Sequence, residues 1–261
     1  MKFNAILLDI AGGIAKITLN RPDKLNSFTD EMHADLKQAM QIILASSVRV
    51  LMITGAGRGF CAGQDLSERM MGKEESTDVG SSLEKNYNPL LKQLRALPYP
   101  VICAVNGVAA GAGCNLALAC DIVIAARSAS FIQIFSKIGL IPDAGGTYTL
   151  PRLVGTARAM AAAMLAEKVS AEQAERWGMI WKCVDDDKFA AEADALAKQV
   201  AGQATKAMGL TKRAIYASAN NTFEQQLDLE RDLQREAAKS EDFREGVTAF
   251  KEKRPAKFSG R

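Results

Sequence analysis

Two glycine-rich stretches and one aspartate are the residues whose types and spacing suit chemistry. Gly55-Ala-Gly-Arg-Gly-Phe-Cys-Ala-Gly-Gln-Asp65 follows the apolar run Val48 to Ile53, and Asn106-Gly-Val-Ala-Ala-Gly-Ala-Gly-Cys-Asn115 follows Val101 to Val105. Each sets unhindered backbone amides at the end of a strand. Glycine permits close ligand approach and dihedrals closed to other residues, and a helix opening near Gly111 adds the partial positive charge of its N-terminus. Amides so placed stabilise an anion, although tight turns and helix-sheet packing account equally well for the glycines of either stretch alone. The third feature is Asp143 in Ile141-Pro-Asp-Ala-Gly-Gly146. A single carboxylate can accept a proton, hold it and return it to another carbon. An aspartate ahead of Ala144-Gly-Gly also suits a helix cap.

Several chemistries are disfavoured on residue grounds. Glycines at 55, 57 and 59 and at 107, 111 and 113 do not spell G-x-G-x-x-G, so a nicotinamide dinucleotide site loses its main support. His33 is the only histidine, and a hydrolase with a histidine base would need it beside a nucleophile. It falls on a predicted helix, Thr29 to Leu44, where Met32, Leu36, Met40 and Ile43 recur at helical spacing, and it reads as a structural or surface side chain. The cysteines at 61, 103, 114, 120 and 183 form no C-x-x-C pair, which leaves no Cys/His metal cluster and predicts reduced thiols in or near the core. A net charge of +3, with cations scattered among acids, offers no stripe for nucleic-acid phosphates. The N-terminal segment lacks a cleavable-signal pattern, and no apolar run approaches the roughly 20 residues that span a bilayer. The expectation is a cytoplasmic protein without a membrane or nucleic-acid partner.

Positioning these residues requires alternating strands and helices. Ala15 to Leu19 alternates apolar and polar residues as a strand with one covered face, and Val48 to Ile53, Val101 to Val105 and Ile122 to Ala125 read as more continuous strands. Helical patterns lie between them at Thr29 to Leu44, around Leu83 to Leu94 before the Pro98/Pro100 break, and from Gly111. Such alternation predicts an α/β domain with helices packed on sheets. After Arg158 the chain reads as almost wholly helical, with a segment from Ser170 to Gly178, an alanine-rich one from Phe189 to Ala204, a charged one from Thr222 to Lys239, and one short strand, Ile180 to Val184. Gly72 to Ser82 is the nearest approach to a flexible loop.

Together the segments resemble the crotonase (enoyl-CoA hydratase/isomerase) superfamily. Leu19-Asn-Arg-Pro-Asp-Lys-Leu-Asn-Ser27 resembles the family's early segment, and Gly57-Arg-Gly-Phe-Cys-Ala-Gly-Gln-Asp-Leu66 its first oxyanion loop. Asn106 to Ala126 resembles the second oxyanion segment, and Ile138 to Gly155 the active-site segment after it. The resemblance implies a spiral of repeated ββα units over residues 1–195 and a C-terminal helical oligomerisation region over 196–261. It further implies an oxyanion hole made by the amides of Gln64 and Ala112, and coenzyme A held near Lys24, Leu25, Ala62, Asp65 and Leu66. A homotrimer or dimer of trimers is implied, with Phe250 and Lys253 reaching a neighbouring coenzyme A site. No cofactor is expected beyond coenzyme A, which belongs to the substrate.

Typical hydratases of the family carry two glutamates that activate water, and the matching positions here are Asn115 and Phe135. Neither takes up a proton near neutral pH. Asp143 stands where several isomerases of the family have an aspartate, and Ile134, Phe135, Ile138 and Leu140 are expected to surround it and favour its neutral form. The resemblance is strongest to isomerases of phenylacetate catabolism that convert an aromatic ring epoxide, carried as its CoA thioester, to an oxepin. Asn115 and Phe135 would then line the substrate pocket, Asn115 shaping it and Phe135 making it less polar, or Phe135 would serve only as core. An enoyl-CoA hydratase using Asp143 alone, and a non-catalytic acyl-CoA-binding or RNA-binding relative, are the other readings; a complex with a partner hydratase is a further expectation.

Overall fold

The computed structural model describes residues 3–67 and 78–261. Strands β1 (Ile6–Ala11) and β2 (Ile14–Leu19) form an antiparallel hairpin turned by Gly12 and Gly13, both at positive φ. Strands β3 (Val50–Gly55), β5 (Val101–Val105), β7 (Ile122–Ala126) and β10 (Lys182–Val184) extend it in parallel, giving the order β1-β2-β3-β5-β7-β10. A second sheet, ordered β4-β6-β8-β9, holds the short strands β4 (Gly59–Cys61), β6 (Val108–Ala110), β8 (Ser130–Ile132) and β9 (Val169–Ser170). After β3, β5 and β7 the chain passes directly to a strand of this second sheet before it turns back. Each turn of the spiral therefore adds one strand to each sheet, as a repeated ββα unit requires.

Helix α1 (Asp30–Leu44) starts where Thr29 Oγ1 accepts from the amide of Met32, and its Met32, Leu36, Met40 and Ile43 are buried against the core. Helix α2 (Val79–Ser82), a π-helical segment at Leu83–Tyr87 and α3 (Asn88–Ala96) follow one another. The expected loop from Gly72 to Ser82 thus divides: 72–77 lie outside the described residues, whereas 79–82 are helical, capped by Asp78 accepting from Ser81 N. Helix α4 (Ala112–Leu118) is buried along its whole length between the layers. Then come α5 (Gly146–Val154), α6 (Thr156–Leu165) and α7 (Ala171–Arg176), the last capped by Ser170 accepting from Gln173 N.

Helix α8 (Asp186–Ala201) buries Phe189, Ala193, Ala197 and Val200 against the core. The boundary expected between residues 195 and 196 lies within this helix, and the chain leaves helical path at 202–204. Beyond it lie α9 (Thr205–Ser218), α10 (Phe223–Ala237) and α11 (Glu241–Glu252). Helix α9 is itself locked to the core. Lys212 Nζ lies 2.8 Å from Asp121 Oδ2, Tyr216 OH donates to Asp121 Oδ1 at 2.6 Å, and a Cβ at Gly209 would stand 2.0 Å from the Pro98 carbonyl. By contrast α10 and α11 leave Phe223, Leu227, Phe243 and Phe250 exposed. Among the described residues, no helix is long and apolar enough to cross a membrane.

Candidate active site

The early segment holds the first glycine loop. Leu25 and Asn26 both take left-handed backbone angles, which turn the chain so that Leu25 O accepts from Ala62 N at 2.9 Å. Asn26 is fully buried, accepting from Arg21 N and donating to the carbonyls of Ala56 and Gly59. Phe28 then bridges to Gln64, its amide donating to Gly63 O and its carbonyl accepting from Asp65 N. That pattern turns Gln64's own amide away from Phe28. The Gln64 side chain is fixed independently, with Nε2 on Phe28 O and Oε1 accepting from Tyr87 OH at 2.7 Å. Asp65 accepts from Ser67 Oγ at 2.6 Å and pairs with Arg21 at 3.0 Å; Ser67 first and then Arg21 hold its carboxyl below the usual range against the opposing effect of burial.

The second loop reaches its helix through Gly111, at φ 53 and ψ −127. Only glycine takes such a backbone without strain. Gly111 N donates to Ile132 O, and Ala112 opens α4, so its amide is among those with no partner inside the helix. The two loops abut: a Cβ on Gly63 would lie 3.0 Å from Ala110 O and 3.6 Å from Ala112 N, and one on Gly113 would lie 2.4 Å from Cys61 O. Missing side chains thus bring the backbone around Gln64 and that around Ala112 into one cluster.

Asp143 approaches through its backbone. Asn115 Nδ2 donates to Asp143 O at 2.8 Å, and Gly146 N donates to the same oxygen at 2.8 Å. Ala144 and Gly145 are both left-handed, the turn that makes this possible. Gln133 Nε2 donates to Asn115 Oδ1 at 2.7 Å. Asp143 Oδ1 is shielded from solvent. The N-cap of α5 is Gly145, two residues past Asp143.

Phe135 is buried, and its ring edge stands 3.7 Å from where a Cβ on Gly111 would be. Ile138 and Leu140 are 46% and 38% exposed. A cavity of about 620 Å³ at the C-terminal end of α4 is lined by Ala119, Ala144, Gly145, Lys92, Tyr148 and Tyr216, with the Arg95 guanidinium over both tyrosine rings; Asp143 and Phe135 do not line it. Lys24 ends an exposed 3-10 turn, and Leu66 is half exposed. Phe250 on α11 and Lys253 just past it face solvent, Phe250 at 85%, so the single chain does not bury them against the loops.

His33 is buried, stacked on Phe28 and edge-on to Tyr87. All five cysteines are free thiols; burial pushes Cys61 and Cys114 up to about 12, which keeps them protonated and poor nucleophiles. No group of three or more His, Cys, Asp or Glu is placed to hold a metal among the described residues. Arg21, Asn26, Tyr87 and Gln133 shape the site without having been singled out from sequence. Arg21 and Asn26 fall within the early segment quoted above; Tyr87 falls within the helical pattern around Leu83 to Leu94, and Gln133 lies two residues before Phe135, but neither was assigned a role at the site.

The family model for enoyl-CoA hydratase/isomerase matches residues 9–261. This chain belongs to that family. It is 55% identical over 258 residues, 98% of each chain, to the Escherichia coli 1,2-epoxyphenylacetyl-CoA isomerase. It is 47% identical over the full length of both chains to a Rhodobacter capsulatus protein named "Probable enoyl-CoA hydratase". Its fold matches the crystal structure of the Bacillus anthracis enoyl-CoA hydratase with a TM-score of 0.92 at 33% identity, covering 99% of this chain and 100% of that one.

Proposed function

We propose that the protein is an acyl-CoA isomerase that converts ring-1,2-epoxyphenylacetyl-CoA to oxepin-CoA and shifts double bonds in unsaturated acyl-CoA thioesters. The amides of Gln64 and Ala112 hold the thioester oxygen as it gains charge, a contribution of ~3 kcal/mol for each such donor. Asp143 takes the proton that leaves the carbon skeleton, holds it and returns it at another carbon. Lys24, Leu25, Ala62, Asp65 and Leu66 border the coenzyme A portion. The acyl group lies toward Phe135, whose buried ring packs close to Gly111.

One observation carries this reading: the two positions that would activate water are Asn115 and Phe135, both buried, with the Asn115 amide bound to the Asp143 carbonyl. The remaining carboxylate supports proton transfer and not the paired acid and base of hydration. Incubation of purified protein with ring-1,2-epoxyphenylacetyl-CoA should yield a product of unchanged mass with the ultraviolet spectrum of an oxepin; recovery of unaltered epoxide contradicts the proposal. The 47% identical relative's name favours a second reading, an enoyl-CoA hydratase. Crotonyl-CoA hydration at an ordinary turnover of ~10 per second would support it.

The same proposal places the protein in the cytoplasm, in keeping with its free thiols. No cofactor is required, since the thioester supplies the electron sink. A homotrimer or dimer of trimers would cover the apolar side chains of α10 and α11, and Phe250 and Lys253 would then meet a neighbouring chain's coenzyme A. A partner hydratase would act on the product or a related enoyl thioester.

A further inference from the structure

Behind Asp143 lies a buried relay of two side-chain amides. Asn115 and Gln133 are 1% and 3% exposed. Gln133 Nε2 donates to Asn115 Oδ1 at 2.7 Å and lies 3.4 Å from Cys114 Sγ. Since Asn115 Oδ1 accepts there, its Nδ2 is committed to the opposite side, where it meets Asp143 O at 2.8 Å. A flipped Asn115 would present an oxygen to that carbonyl oxygen, so Gln133 sets the polarity of the contact. Gly146 makes the reach possible, because a Cβ there would stand 2.3 Å from Asn115 Nδ2.

We infer that Gln133 and Asn115 are positioning residues that hold the turn carrying Asp143, and through it the acid's carboxylate, in register with the substrate. The inference rests on the proposed role of Asp143. The turn needs holding: Ala144 is left-handed at φ 46, a conformation that an alanine leaves readily when not constrained. The relay also carries a cost that stability alone does not recover, since Gln133 Oε1 is buried without a hydrogen-bond partner. An apolar residue at 133 alone would only move the penalty to Asn115 Oδ1, which would lose its donor.

The test uses full-length Gln133→Met, Asn115→Leu, the double variant and Gln133→Glu, each checked for folding by circular dichroism and assayed beside Asp143→Asn with a 3-enoyl-CoA. Both single variants should lose about 10- to 100-fold in kcat, the range expected from ångström-scale misplacement, with KM within about twofold. Because Gln133 acts through Asn115, the double variant should be no slower than Asn115→Leu alone. In Gln133→Glu a carboxylate draws the Asn115 donor away from Asp143, so kcat relative to the unmodified protein should be lowest at high pH. It should recover as pH falls and the carboxylic acid becomes a donor again. This last readout also serves if Asn115→Leu fails to fold. Wild-type kcat in folded Gln133→Met, losses that multiply in the double variant, or a pH-independent defect in Gln133→Glu would each overturn the relay. Full turnover in Asp143→Asn would instead remove the proposed acid, so the two failures are distinguishable.

Discussion

Gly113 illustrates how a residue without a side chain fixes chemistry elsewhere. A Cβ there would lie 2.4 Å from Cys61 O and 2.7 Å from Cys61 Sγ, so the close seat of α4 on β4 depends on its absence. Gly113→Ala should force the two loops apart, costing ~1–3 kcal/mol of stability as overpacking does, with a drop in kcat larger than that in affinity. Urea unfolding and steady-state kinetics measure the two; an unchanged midpoint and kcat would show that the loops have slack. At this scale the sequence disclosed the glycines and Asp143, because rare residue types in a short motif are visible without a fold. It did not disclose Gln133 or Tyr87, whose importance comes from partners 18 and 23 positions away. Nor did it show that the helix after Asp143 takes Gly145 as its N-cap, which depends on the left-handed turn at Ala144 and Gly145.

Elements with a clear period were legible and short ones were not. Strand β5 spans Val101–Val105 as expected, and α1 begins at its Thr29 cap, because five to fifteen residues carry enough pattern to show burial. Strands β4, β6 and β8 have three residues each, too few to show alternation, and two of them hide inside the glycine stretches. Strand β1 escaped notice because it lies at the sheet edge with Leu7 and Ile10 exposed. The docking of α9 was equally hidden, resting on Lys212 and Asp121 with side chains only 6% and 14% exposed. Lys212→Met leaves Asp121 buried without its cation and should cost ~3–5 kcal/mol. A denaturation midpoint equal to the parent's would contradict that packing. Past α11, Arg254 first and then the amide of Lys257 hold the Glu245 carboxyl down to about 2 from its ordinary 4.5. Folding thus favours the ionised form, so the contribution is complete above about 4.5 and is lost as pH falls toward about 2. Thermal melts of the parent and Glu245→Gln should differ at pH 6 and converge near pH 2; a constant difference would contradict the assignment.

For the whole molecule, the spiral places two amide-bearing loops and one acid turn from distant parts of the chain in one cluster, while α10 and α11 leave aromatic side chains outside. Phe223, Phe243 and Phe250 are 72%, 52% and 85% exposed, more apolar surface than an isolated chain favours. Light scattering at micromolar concentration should give three or six times the 28.1 kDa chain mass, and a monomeric mass would contradict the proposed assembly. The central claim is that one carboxylate moves the proton while backbone amides carry the charge, and Asp143→Asn tests it most directly. Asparagine keeps the size of the side chain and leaves Gln64 and Ala112 untouched, so acyl-CoA affinity should persist. Single-turnover rates with a 3-enoyl-CoA should fall ~100- to 10,000-fold in the folded variant. A folded Asp143→Asn that turns over at the parent's rate would contradict the account.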